Sequence, residues 1–195
     1  MDINDIRNLI KEELNRINGR VLAYHGTPHG DFDSFDPEKR GTGADEQSFG
    51  DFGNGFYFTP NKDNAIAYAE GLSQKEENPQ PAVYTVYLTM VNPFSFDKLV
   101  KYNNIILDLA KKHGGILQLS NEHFQQAFTA ADTTEEEIDF IRDIESDMDD
   151  NWMDMDFAER LSREGYDSVI SHNGQEYVVF KPEQIEIIKS EPLKL

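Results

Sequence analysis

Residues 166–189 read YDSVISHNGQEYVVFKPEQIEIIK, and this stretch decides the fold class. Tyr166 to Ser171, Gln175 to Phe180 and Gln184 to Lys189 are three short apolar-rich runs. Asn173-Gly174 separates the first two, and Asn-Gly between apolar runs is the strongest short hairpin signal because its turn needs two positive φ angles. Lys181-Pro182 breaks the second run from the third. Upstream, Ala82 to Val91 (AVYTVYLTMV) is a long β-branched and aromatic strand closed by Asn92-Pro93. Gly55 to Thr59 (GFYFT) and Arg20 to Tyr24 (RVLAY) are shorter strands, the latter leading into His25-Gly26-Thr27. Between strands the apolar period changes to that of a helix. Ile3, Ile6, Leu9, Ile10, Leu14 and Ile17 predict an amphipathic helix over residues 2–17, stopped by Gly19. Thr59-Pro60 reads as an N-cap with proline at the first helical position, and Ala65, Ile66, Tyr68, Ala69 and Leu72 give the following helix one apolar face. From Phe96 to about Glu164 the pattern is helical throughout, and Gly165 ends it. The expectation is α+β: short antiparallel strands early and late, with a helical insertion between them.

The chain of 195 residues is long enough for one domain with a real hydrophobic core. It divides into an N-terminal helix (1–19), a core (20–95 and 165–195) and an insertion (96–164). Hydrophobic residues make up 38% and charged residues 28%, a globular balance. Cysteine is absent, which excludes disulfides, thiolate metal sites and a cysteine nucleophile. No apolar run has the length of a membrane span, and the first residues lack the basic start and apolar stretch of a secretory signal, so an intracellular, cytoplasmic location is expected. The 37 acids against 18 bases give a net charge of −19, which disfavours a broad nucleic-acid platform or anionic membrane surface. The excess is uneven: residues 132–156 hold 12 acids and one base, Arg142. That run reads first as a solvated helix face and second as a docking surface for a basic protein partner. Asp147, Asp149 and Asn151 hint at a calcium loop, but Trp152 stands where such a loop needs glycine. His113, His123 and His172 show no metal-ligand spacing, so no metal is expected.

Three polar or glycine-bearing segments fall at predicted strand ends: Tyr24-His25-Gly26-Thr27; Gly55-Phe56-Tyr57-Phe58-Thr59 with Tyr68; and Gln175-Glu176-Tyr177. Gly26 lets backbone come close to a neighbour. Tyr68 lies about two turns into its helix, and helical side chains lean back toward the N-terminus, so its ring is aimed at the strand end carrying Tyr57. Two facing rings make a slot for a flat, preferably cationic, ring. A lone carboxylate, Glu176, can stabilise positive charge developing beside the slot. Those requirements describe nicotinamide leaving the ribose of NAD. Alternation puts Tyr57 and Phe58 on opposite faces of their strand without saying which faces the core. Glu176 competes with Glu183 and Glu186, and Tyr68 with the role of an ordinary core tyrosine.

Together these segments, in this chain order and with Tyr68 eleven residues after Tyr57, resemble the ADP-ribosyltransferase superfamily. The closer likeness is to its His-Tyr-Glu branch, typified by diphtheria toxin and the poly-ADP-ribose polymerases, and to small phage and bacterial transferases. The resemblance covers roughly residues 20–92 and 165–189. It implies an NAD-binding core of two small packed antiparallel sheets. It further implies that His25 holds the NAD ribose, that Gly26 and Thr27 belong to the same binding segment, with Gly26 meeting the nicotinamide carboxamide, and that Tyr57 and Tyr68 sandwich the ring. Glu176 becomes the group that bonds the ribose 2′-hydroxyl and steadies an oxocarbenium-like transition state. Gly174 stands two residues before Glu176, where the arginine-modifying branch has glutamate. The expected activity is mono-ADP-ribosyl transfer from NAD to a macromolecular acceptor, protein or nucleic-acid base, in a phage or bacterial effector or toxin. The alternatives are an NAD glycohydrolase or an RNA 2′-phosphotransferase on the same scaffold, the latter disfavoured by the acidic balance, and a non-catalytic acidic interaction module.

Overall fold

The computed structural model describes residues 19–40, 52–151, 157–171 and 174–194, with backbone alone at 147–151. The N-terminal helix expected over 2–17 lies outside the described residues. Two compact units divide the chain: Met1–Phe94 with Met155–Leu195, and Ser95–Asp154.

The first unit holds two small sheets, and the α+β expectation is borne out. One sheet has the order β1 (Arg20–Thr27), β3 (Ala82–Thr89), β7 (Ile185–Pro192). The other has the order β2 (Phe56–Phe58), β6 (Tyr177–Val179), β5 (Ser168–Ile170), β4 (Pro93–Ser95). The strand expected over 20–24 runs on through Thr27, because His25, Gly26 and Thr27 pair with Tyr84, Val83 and Ala82 of β3. His25 and Gly26 are therefore inside a strand rather than at its end. β5 and β6 pair antiparallel, Ile170 opposite Tyr177, as the expected hairpin requires, and Gly174 takes φ +59°, while Asn173 lies outside the described residues. The third C-terminal run leaves that sheet and pairs with β3, Leu88 opposite Ile185.

The helix α1 (Lys62–Ser73) starts later than the Thr59-Pro60 signal suggests. Asn61 is its N-cap, the side chain accepting from the Asp63 amide at 2.8 Å. Thr59 instead accepts from the Asn61 amide at 3.2 Å, one step before the helix. Thr59 is not free to cap because its backbone is held by β1, as described below. Ala65, Ala69 and Ser73, spaced four apart, form the buried stripe of α1. Tyr68 lies off that stripe and is 54% exposed, which removes the core-tyrosine reading.

Apolar residues of both sheets merge into one core: Ala23, Phe35, Phe56, Phe58, Tyr84, Val86, Leu88 and Val179 are all buried. One side chain sews the sheets together. The Gln184 amide nitrogen donates to the carbonyls of Thr89 (3.0 Å) and Asp167 (2.9 Å). Its oxygen accepts from the amides of Phe180 (3.1 Å) and Lys181 (3.0 Å). The ends of β3 and β6 and the start of β5 thus converge on one residue.

The second unit contains α2 (Asp97–His113), α3 (Asn121–Ala131) and α4 (Glu135–Asn151). Tyr102 stacks on Phe128 at 4.7 Å, and Ile138, Ile141 and Ile144 are buried along α4. The lone base of the acidic run, Arg142, sits over the Tyr102 ring at 5.7 Å. The backbone at 147–151 is helical, so it does not form the loop that a calcium site requires. A short helix, α5 (Phe157–Arg163), falls in the first unit.

Gln184→Ala strands two carbonyls and two amides at the junction of the sheets. It is expected to cost about 3 kcal/mol of unfolding free energy, read from denaturant titration, whereas Glu183→Ala next to it is expected to change stability by less than about 0.5 kcal/mol.

Candidate active site

The site begins where the two sheets touch. The Tyr24 amide donates to the Thr59 carbonyl at 2.8 Å, and the Thr59 amide donates to the Tyr24 carbonyl at 2.9 Å. This is an isolated antiparallel bridge. Because both backbone groups of Tyr24 face Thr59, alternation along an antiparallel strand turns those of His25 toward β3 and those of Gly26 outward again. The next rung of a β1–β2 ladder would pair Gly26 with Tyr57. Instead, the His25 imidazole takes the Tyr57 carbonyl, Nδ1 to oxygen 2.9 Å. The sheets therefore part at Gly26 and Tyr57, with the imidazole set into the split.

That bond defines the chemistry of His25. A carbonyl can only accept, so Nδ1 carries the proton and Nε2 is left as an acceptor in the neutral ring. The ring is half-buried, with Phe35 meeting it edge-on at 5.1 Å and Phe58 tilted against it at 5.6 Å. Burial among these rings lowers its pKa below 6.5, and the bond to the Tyr57 carbonyl opposes the shift only in part. The site presents a neutral imidazole at physiological pH, suited to accepting from a hydroxyl.

On β2, Phe56 and Phe58 are buried, which answers the question alternation left open: Tyr57 faces away from the core. Its hydroxyl donates to the Gly53 carbonyl at 2.8 Å and accepts from the Phe52 amide at 3.1 Å, anchoring the segment before the strand. Gly26 is required for a reason beyond ligand access. A Cβ there would lie 1.9 Å from the Ala65 carbonyl oxygen, so α1 packs directly on the strand. Thr27 is buried, and its hydroxyl accepts from the His29 amide at 3.2 Å, closing the turn after β1.

The β2–β6 register, which pairs Phe58 with Tyr177, brings Glu176 opposite Thr59 when continued by one residue. Ser171 holds Glu176 at the hairpin end: its hydroxyl accepts from the Glu176 amide at 3.0 Å, and its amide donates to the Glu176 carbonyl at 3.0 Å. The Tyr68 phenol is raised above its ordinary value, first by partial burial and then by the Glu176 carboxylate, so these two side chains belong to one electrostatic neighbourhood. Sequence reading named His25, Gly26, Thr27, Tyr57, Tyr68 and Glu176 but missed Ser171, whose part depends on the hairpin closing. It also missed that His113 and His123 meet, with ring centroids 4.2 Å apart in the second unit. Among the described residues, no group of three or more candidate ligands surrounds a metal position.

Two small sheets sharing one core give a mixed α+β architecture that accords with an ADP-ribosyltransferase-like fold. The chain belongs to the family described as ADP-ribosyltransferase in polyvalent proteins, whose model matches residues 18–192. No curated protein matches the chain. Membership supports transferase activity, a family property that draws on NAD as substrate and passes its ADP-ribose to a macromolecule. Among the described residues, no helix is long and apolar enough to cross a membrane.

Two outcomes follow from this geometry. Above pH 6.5 the His25 imidazole is neutral in both folded and unfolded chains. Below it the unfolded chain gains a proton that the folded one resists, so stability falls as pH drops through 6.5 toward the folded midpoint. NMR titration of the His25 ring is expected to give a midpoint below 6.5; a midpoint at or above it contradicts the account. Gly26→Ala is expected to lose about 3 kcal/mol or more through the clash with α1, while Gly71→Ala, in open space on the same helix, gains about 0.5–1 kcal/mol, both measured by chemical unfolding.

Proposed function

We propose that the protein is a mono-ADP-ribosyltransferase of the His-Tyr-Glu type that cleaves NAD at the nicotinamide–ribose bond. The observation that carries this reading is the split between β1 and β2. Supporting it are the His25 imidazole bonded to the Tyr57 carbonyl, the Gly26 backbone left out of a β1–β2 ladder, and Glu176 one residue before β6.

In the proposed mechanism, Gly26 offers its amide and carbonyl to the nicotinamide carboxamide at the edge the sheets leave open. His25 accepts a ribose hydroxyl through Nε2. Tyr57 and Tyr68 bracket the nicotinamide ring. Glu176 accepts from the ribose 2′-hydroxyl and opposes the positive charge that grows on the sugar. The glycosidic bond breaks with its electron pair going to the nicotinamide nitrogen, which leaves neutral. A nucleophile of the acceptor then bonds the anomeric carbon and gives up its proton. The Glu176 charge acts on a cationic transition state more than on the ground state, as catalysis requires. Tyr68 is the more exposed of the two rings. Gly174, two residues before Glu176, speaks against arginine as the acceptor. The acceptor is a macromolecule, and a bacterial or phage effector setting accords with the likeness of the motifs.

Incubation with NAD labelled in the ADP-ribose moiety, together with a cell lysate, tests the reading. The expected result is label on a macromolecule and release of nicotinamide. Glu176→Gln is expected to lower nicotinamide release by about 100-fold or more while leaving the fold intact by circular dichroism. Label appearing only as free ADP-ribose makes the protein a glycohydrolase. Release within a few-fold of wild type in the glutamine variant overturns the role of Glu176, and no NAD binding by calorimetry overturns the function.

A further inference from the structure

Tyr84 is fully buried in β3, yet its phenol oxygen is engaged three times. It accepts from the amides of Asp31 and Phe32, each at 3.0 Å, and donates to the Phe32 carbonyl at 3.2 Å. Two consecutive amides can converge on one oxygen only if the backbone turns sharply. Asp31 does so with φ +89°, a conformation uncommon outside glycine. The Tyr84 ring lies flat on Phe32, centroids 4.1 Å apart and 13° from parallel. Phe32 meets Phe35 edge-on at 5.1 Å, and Phe35 meets the His25 ring edge-on at 5.1 Å. Across the strands, Tyr84 is the register partner of His25. Histidine and tyrosine thus stand side by side on the same face of the sheet, and the segment 31–35 folds over both.

We propose that Tyr84 is a positioning residue: its hydroxyl pins the turn at Asp31 and Phe32 so that Phe35 is held against the imidazole of His25 and fixes the ring in its bond to the Tyr57 carbonyl. The functional consequence rests on the reading that His25 receives the NAD ribose. Phenylalanine at position 84 keeps the stacked ring but leaves two inward amides without their acceptor. Satisfying them requires water or a different turn. Either change frees Phe35 from the imidazole edge and admits solvent to the ring. The groups around His25 in this account are Phe35, Phe58, the Tyr57 carbonyl and Tyr84 itself.

The test measures His25 directly, with no substrate present. In Tyr84→Phe, NMR titration of the His25 imidazole is expected to move its midpoint upward toward 6.5, with the Nδ1 proton exchanging faster. Phe35→Leu, which removes the ring edge and keeps the phenol, is expected to move it in the same direction and stands in if Tyr84→Phe does not fold. Val86→Ala, a cavity in the same core that removes none of the bonds and ring contacts of Tyr84, Phe35 and His25 given above, is expected to destabilise the fold without moving the midpoint. With NAD, Tyr84→Phe is expected to raise KM about tenfold with kcat within a few-fold, the pattern of a lost ground-state contact. An unchanged His25 midpoint in folded Tyr84→Phe or Phe35→Leu, or an equal shift in Val86→Ala, overturns the proposal. Shifted midpoints in a protein that ignores NAD leave the positioning role standing and reject the transferase reading instead.

Discussion

The pair of hydrogen bonds between Tyr24 and Thr59 is the constraint on which the site depends. It joins the two sheets for one rung and no more, because the His25 imidazole occupies the Tyr57 carbonyl that a second rung would use. Had the ladder continued, the backbones of Gly26 and Tyr57 would satisfy each other. A single bridge joins the sheets and lets them part at the next rung. The same bridge withdraws Thr59 from helix capping and leaves that task to Asn61, which sets where α1 begins and hence where Tyr68 stands.

Close packing keeps this junction from drifting. The carbonyl of Ala65 sits where Gly26 would otherwise carry a Cβ, so α1 presses on β1 at the split. Gly55 repeats the device on the other sheet, where a Cβ would meet Val178 at 2.1 Å. Gln184 ties the far ends of the sheets through four hydrogen bonds to backbone. Small residues and backbone-directed bonds dominate these contacts, and both tolerate little displacement. The site proposed for NAD would hold a flat ring against a carboxylate, a task that benefits from rigid support on strands rather than loops.

Much of the local structure was legible. The antiparallel pairing of the strands on either side of Gly174 and the long strand at 82–89 follow from turn chemistry and period-2 patterning. The candidate residues were legible as types, since a histidine beside glycine and a glutamate amid apolar strand residues both ask for a reason. Tyr57 against Phe58 was not decided, because alternation assigns opposite faces without naming the inner one. Phe32, Phe35 and Tyr84 were not seen as support for His25. The first two fall in a stretch rich in glycine, aspartate and serine that reads as surface loop, and only packing against the buried Tyr84 ring, Phe32 stacked and Phe35 edge-on, brings them to the core.

The amino-acid sequence by itself determined the α+β class, the hairpin before β6 and the set of polar residues that needed explaining. These depend on neighbours a few positions apart, where propensity and periodicity act. The tertiary structure alone decided that the C-terminal strand pairs with β3, that Gly26 is demanded by α1, that His25 is neutral with Nδ1 as donor, and that the sheets part after one rung. Each of those is a contact between segments 30 to more than 100 residues apart, whose partners no local pattern can name.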